Sequence, residues 1–174
     1  MNLLDRLLEA DDGGVVREIA RVFGLRNEVA LEAVSRLVPA LDRGLARNAS
    51  RPGGLAELAA ALASGDHSRY VDDPGRLGNR ETIEDGNAIL GHILGSRDAS
   101  RNVAGYASSD AVASAGTMKK ILPMVAAASM GTLGKALFGA DDTEIPGLLG
   151  KLLSTGDEDT SDLDDVISLA KRFF

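Results

Sequence analysis

No charged side chain falls between Lys120 and Lys135, and this constrains the fold more than any other feature of the chain. The wider run from Thr117 to Phe138 is apolar on nearly all sides of a helical wheel. A helix of that kind has no face to offer water, so it belongs at the centre of a bundle. A membrane span needs about 20 mostly apolar residues. The uncharged stretch here, Ile121 to Gly134, is shorter and holds Pro123, Ser129, Gly131, Thr132 and Gly134, so a buried helix is the better reading. Its small residues, Ala126, Ala127, Gly131 and Gly134, let neighbouring backbones approach closely. Aromatics are 3% of the chain and apolar residues 44%, so the core must come from Leu, Ala, Val, Ile and Met. Such residues pack well in helices, whereas strands favour aromatic and β-branched ones. The expected fold class is all-α, a compact multihelical bundle or array.

The cover for the central helix is written in periodicity. Residues 2–10 place Leu3, Leu4, Leu7 and Leu8 on one stripe, interrupted by Asp11-Asp12-Gly13-Gly14. Residues 15–23 gather Val15, Val16, Ile19, Val22 and Phe23 on one face, and Gly24 supplies a stop. From Asn27, Leu31, Val34, Leu37, Val38, Leu41 and Leu45 recur every three or four residues, opposite Glu28, Glu32, Arg36, Asp42 and Arg43. That is the clearest amphipathic helix, and Pro39 inside it should bend it. Pro52-Gly53 opens a shorter helix with Leu55, Leu58 and Leu62, ending at Gly65. A polar connection spans Asp66 to Arg80. Thr82-Ile83-Glu84-Asp85 reads as a capping box for a helix that runs to Leu94 and stops at Gly95. Ser100 to about Ala113 reads as a weakly specified helix.

Arg36-Leu37-Val38-Pro39-Ala40-Leu41 parallels Lys120-Ile121-Leu122-Pro123-Met124-Val125. The parallel suggests two related helical motifs. Beyond Phe138 the chain becomes acidic and rich in Gly and Asp. The expected organisation is a helical domain over 1–138, an acidic linker over 139–161, and a C-terminal amphipathic helix over 162–174. In that last segment Leu163, Val166, Ile167, Ala170 and Phe173 form a stripe, with Lys171 and Arg172 at the cation-favouring end. Leu163, Val166, Ile167 and Phe173 are the candidate interaction residues. The polar face of this helix is rich in aspartate, the wrong sign for anionic lipid. A protein surface, on its own core or a second copy, is the expected partner.

Candidate chemistry is sparse. The chain has no cysteine, which excludes disulfides, thiol nucleophiles and thiolate metal sites. His67 and His92 have Asp66, Asp72, Asp73 and Asp85 near them in sequence, but no pair has a metal-ligand spacing. His92, between Gly91 and Ile93 on an apolar helix, is expected to be a core histidine. His67-Ser68-Arg69-Tyr70 reads first as a hydrogen-bonded loop anchor. His67, Tyr70, Asp72 and His92 are the ligand candidates, and no catalytic, cofactor-binding or metal residue is assigned.

Gly131-Thr132-Leu133-Gly134-Lys135-Ala136 resembles part of a phosphate loop, but Ser129 stands at the first glycine and Ala136 follows the lysine. Asp157-Glu158-Asp159-Thr160-Ser161-Asp162 lacks the glycine and the final glutamate of a calcium loop. Residues 16–37 have helix-turn-helix spacing, yet the second helix offers Glu28 and Glu32 against Arg26 and Arg36. With a formal net charge of −7, nucleic acid is not an expected partner. The start, Met1-Asn2-Leu3-Leu4-Asp5-Arg6, has no signal-peptide pattern, so the cytoplasm is the expected location. The sequon Asn48-Ala49-Ser50 would matter only in a secreted protein.

Two segments together, Gly86-Asn87-Ala88-Ile89-Leu90-Gly91-His92-Ile93-Leu94-Gly95 and Lys119-Lys120-Ile121-Leu122-Pro123-Met124-Val125-Ala126, resemble the YidB-like bacterial family of unknown function, domain of unknown function number 937. Ile19-Ala20-Arg21-Val22-Phe23-Gly24-Leu25, Leu37-Val38-Pro39-Ala40-Leu41 and Ser64-Gly65-Asp66-His67-Ser68-Arg69-Tyr70 extend the resemblance over most of 1–138. The chain departs from it near Ser108-Ser109, where a glycine-led turn is expected. The resemblance implies an all-α bacterial protein and brings no activity, substrate or catalytic residue. Read together, these features point to a non-enzymatic structural or protein-interaction module, able to self-associate. A small-ligand binder or enzyme built on His67, Tyr70, Asp72 and His92 is the alternative, and nucleic-acid binding through 16–37 comes third.

Overall fold

The computed structural model describes residues 3–138. Within them lie α1 (Leu3–Glu9), α2 (Gly14–Phe23), α3 (Asn27–Ala49), α4 (Gly54–Ser64), α5 (Arg69–Asp72), α6 (Arg80–Leu94), α7 (Arg97–Ala107) and α8 (Ala115–Phe138). Two 3-10 turns, Ala10–Gly13 and Pro74–Arg76, complete the order. The described residues contain no strand, only an isolated bridge between Ser109 and Ala113. The fold class is all-α, as the composition requires. None of the described helices is long and apolar enough to cross a membrane. The acidic linker and the terminal helix expected over 139–174 lie outside the described residues.

α8 is the axis of the assembly. Every residue from Ile121 to Gly134 is buried, and α8 packs against each of the other seven helices. An all-apolar helix can be buried in this way only if amphipathic helices surround it. α3 supplies much of that cover through Ala30, Ala33, Val34, Leu37, Val38, Leu41 and Leu45, all buried. Pro39 and Pro123, the centres of the two parallel sequence segments, lie inside the two longest helices among the described residues, and both helices continue through them. Gly24 and Gly95 end α2 and α6 in the left-handed region, at φ 63° and 81°, where a side chain would be strained.

Two glycines let helices touch backbone to backbone. A Cβ on Gly86 of α6 would lie 2.7 Å from the carbonyl carbon of Pro123 and closer still to its oxygen. A Cβ on Gly44 of α3 would lie 2.9 Å from the Ile93 carbonyl oxygen of α6. These contacts pin α6 between α3 and α8.

Three local expectations are corrected. α6 begins at Arg80 rather than at a Thr82 cap. Thr82 is buried, and its hydroxyl donates to the Arg76 carbonyl at 2.8 Å, tying the preceding 3-10 turn to the helix. The weakly specified helix starts three residues earlier, at Arg97, because the Ser96 hydroxyl accepts the Ala99 amide at 3.0 Å. It ends at Ala107 rather than near Ala113, where Ser108 turns extended. The polar connection also holds a helical turn, α5, whose Tyr70 and Val71 are buried.

Candidate functional site

Two helix faces at matching spacing make the walls of a groove. On α4 they are Gly54, Glu57, Leu58 and Ala61; on α6 they are Asp85, Ala88, Ile89 and His92. Residues three and four apart share one side of a helix, so each set is a continuous stripe. Leu45 and Asn48 of α3 and Ile93 of α6 close one end, with Arg51 beside them, and Gly65 and His67 lie on the wall. Met130 of α8 also lines the groove. The cavity is about 780 Å³. Its lining mixes aliphatic residues, Leu45, Leu58, Ile89, Ile93 and Met130, with a polar set of Arg51, Glu57, His67, Asp85 and His92.

Asn48 fixes the closed end. Four residues after Gly44, it lies on the same side of α3, facing the C-terminus of α6. Its side-chain amide donates to the His92 carbonyl at 2.6 Å and reaches the Ile93 carbonyl at 3.4 Å. These carbonyls belong to the last turn of α6, where intrahelical donors run out. The sequon nitrogen therefore serves as a cross-helix cap. Asn48→Asp should replace the donor with a carboxylate facing two carbonyl oxygens and cost about 2 kcal/mol. Chemical denaturation of the two proteins side by side measures this; equal midpoints would remove Asn48 from the joint.

The other end is anchored by Asp85. Its carboxylate accepts the Tyr70 hydroxyl and the Arg69 guanidinium, the latter at 2.9 Å. Arg69 also donates to the Tyr70 oxygen at 2.7 Å and lies 4.8 Å from the Tyr70 ring centre. Burial pushes the Tyr70 hydroxyl above its ordinary pKa, and the bond to Asp85 acts in the same direction. A phenol so held is a donor, and a poor base.

His67 is half-buried, and burial pulls its pKa below the ordinary value of about 6.5, against the opposing pull of Asp85. The neutral ring is thus favoured in the folded protein, while the unfolded chain takes up the proton more readily. His67 therefore subtracts stability as pH falls from about 6.5 toward its lower folded value. Proton NMR of the imidazole should give a midpoint below 6.5 for His67; a midpoint above it would contradict the burial seen here.

His67 and His92 share the groove, but the four ligand candidates do not converge. Tyr70 is 1% exposed and turned into its pair with Asp85. Asp72 is ion-paired with Lys135 of α8, outside the groove lining. His92 is exposed, which corrects its reading as a core histidine: it falls on the groove-facing stripe of α6, opposite the apolar seam. Among the described residues no group of three His, Cys, Asp or Glu is placed to hold a metal ion. The exposed side of α3 presents Glu28 and Glu32, with Arg36 bound to Glu32 at 2.8 Å. Sequence reading missed the role of Asn48 and the pairing of the α4 and α6 stripes. The spacing of Asp85, Ala88, Ile89 and His92 was the available signal, hidden because the same helix also buries Gly86, Leu90 and Ile93.

Searches against curated proteins and against solved structures gave no significant match. The bacterial family described as "Bacterial protein of unknown function (DUF937)" matches residues 5–136, and the chain belongs to that family.

Proposed function

We propose that this protein is a non-enzymatic interaction module whose α4–α6 groove receives an amphipathic helix with an aliphatic stripe. The observation that supports the reading is the character of the groove: accessible Leu58, Ala61 and Ala88 beside nearly buried Ile89, Ile93 and Met130, with charged and imidazole groups among them. Helix-in-groove recognition uses this division, with apolar anchors at i, i+3, i+4 and i+7 filling the trough and polar residues setting orientation. The polar groups nearest the groove ends are already engaged within the protein. Asn48 holds backbone carbonyls, and Asp85 holds Tyr70 and Arg69.

The direct test is an NMR titration of the labelled full chain with a leucine-striped amphipathic peptide. Amide shifts are expected at Glu57, Leu58, Ala88, Ile89 and His92, and Ala88→Glu, at an exposed wall position, should abolish them. Shifts scattered over the surface and insensitive to Ala88→Glu would overturn the reading.

The shared placement of His67 and His92 favours a second reading, a small ligand held between two imidazoles. The double variant His67→Ala, His92→Ala separates the two readings. It should leave peptide shifts in place if the aliphatic side chains do the binding.

A further inference from the structure

We infer that the helix received by this groove is the chain's own C-terminal segment, Leu163 to Phe173, folded back in cis so that the module is self-occluded. The inference rests on the groove reading above and adds the identity of the occupant. Two observations support it.

The first is reach. α8 ends at Phe138, and Met130, eight residues earlier in the same helix, lines the groove. At 1.5 Å per residue that places the exit from α8 roughly 12 Å along the helix from the groove. The 23 residues of 139–161 can reach at most roughly 75 Å when extended, well beyond that distance. The tail is thus held near the groove at a high effective concentration.

The second is length. The groove face of α6 runs from Asp85 to His92, roughly 10 Å of helix. The tail stripe Leu163, Val166, Ile167, Ala170 has the same seven-residue separation from first to last. Its spacing is the i, i+3, i+4, i+7 pattern that fills such a trough.

The test compares two full-length proteins, the natural chain and one carrying Leu163→Asp and Ile167→Asp. Each is titrated with a fluorescent peptide of residues 160–174, and its mass is followed by light scattering over a concentration series. Both substitutions lie outside the described residues 3–138. With the groove about nine-tenths occupied in cis, freeing it should tighten peptide binding about tenfold, with both proteins monomeric throughout. Equal saturable binding to both would overturn cis occupancy while leaving the groove reading intact. A natural chain that dimerises with concentration, beside a monomeric variant, would also overturn it, placing the tail in a second copy. No binding to either protein would overturn the inference and the groove reading together.

Discussion

Gly86→Ala is expected to destabilise the protein by about 2 kcal/mol, while Gly91→Ala, in the same helix, should stabilise it by roughly 0.5–1 kcal/mol. Both replace a helical glycine with the best helix former, so propensity alone gives them the same sign. The surroundings divide them. The new methyl at position 86 meets the Pro123 carbonyl, which is backbone and cannot rotate aside. To admit it, α6 and α8 must separate along a joint that lies within the core. The methyl at position 91 meets nothing within 4 Å. For a chain of this size the two variants should melt about 4–8 °C below and about 1–4 °C above the natural protein. If both moved upward, the α6–α8 approach would be looser than described.

Ile121→Ala is the second large effect expected, about 3–4 kcal/mol. Ile121 is fully buried at the start of the uncharged run of α8. Truncation removes the transfer energy of its side chain and leaves a cavity that close packing only partly fills. Because α8 touches every other described helix, the loss should lower one cooperative transition instead of releasing a single element. Circular dichroism and near-ultraviolet signals should shift together. A transition that splits, or a loss below about 1 kcal/mol, would mean that α8 is not the common partner of the helices.

The sequence made the centre of this fold easy to find and its joints hard to find. An uncharged run between Lys120 and Lys135 has one stable home in a helical protein, and α8 occupies it. The stripe of α3 was equally plain, since its buried and exposed residues alternate with a clear helical period. Capping was less legible. Thr82 has a cap-like sequence, yet its hydroxyl finds a better partner in the Arg76 carbonyl, a contact set by tertiary packing. Ser96 caps α7 with no apolar run behind it to advertise the start. Periodicity also cannot show that one helix has two faces in use. α6 turns Gly86, Leu90 and Ile93 into the protein while Asp85, Ala88 and His92 line the groove, so His92 read as a core residue. His67 and His92 were both named from sequence. That they share a cavity while Tyr70 and Asp72 turn elsewhere depends on long-range pairs: Asp85 with Tyr70, and Lys135 with Asp72.

The groove is also placed so that its shape depends on the core joints. Ile93 faces Gly44 in one contact and lines the groove in another. Substitutions at the α3–α6 crossing should therefore change binding as well as stability, because they move one end of the trough.

The measurement closest to the central proposal is a methyl NOE experiment on the full chain, repeated with excess tail peptide. It reads which protons lie beside the methyl groups of Leu58, Ile89, Ile93 and Met130. Contacts from the aliphatic stripe of an amphipathic helix, in the chain's own tail or in the peptide, are expected at all four. If those methyls meet only residues within 3–138, with and without peptide, the groove is not a docking surface and the interaction reading is contradicted.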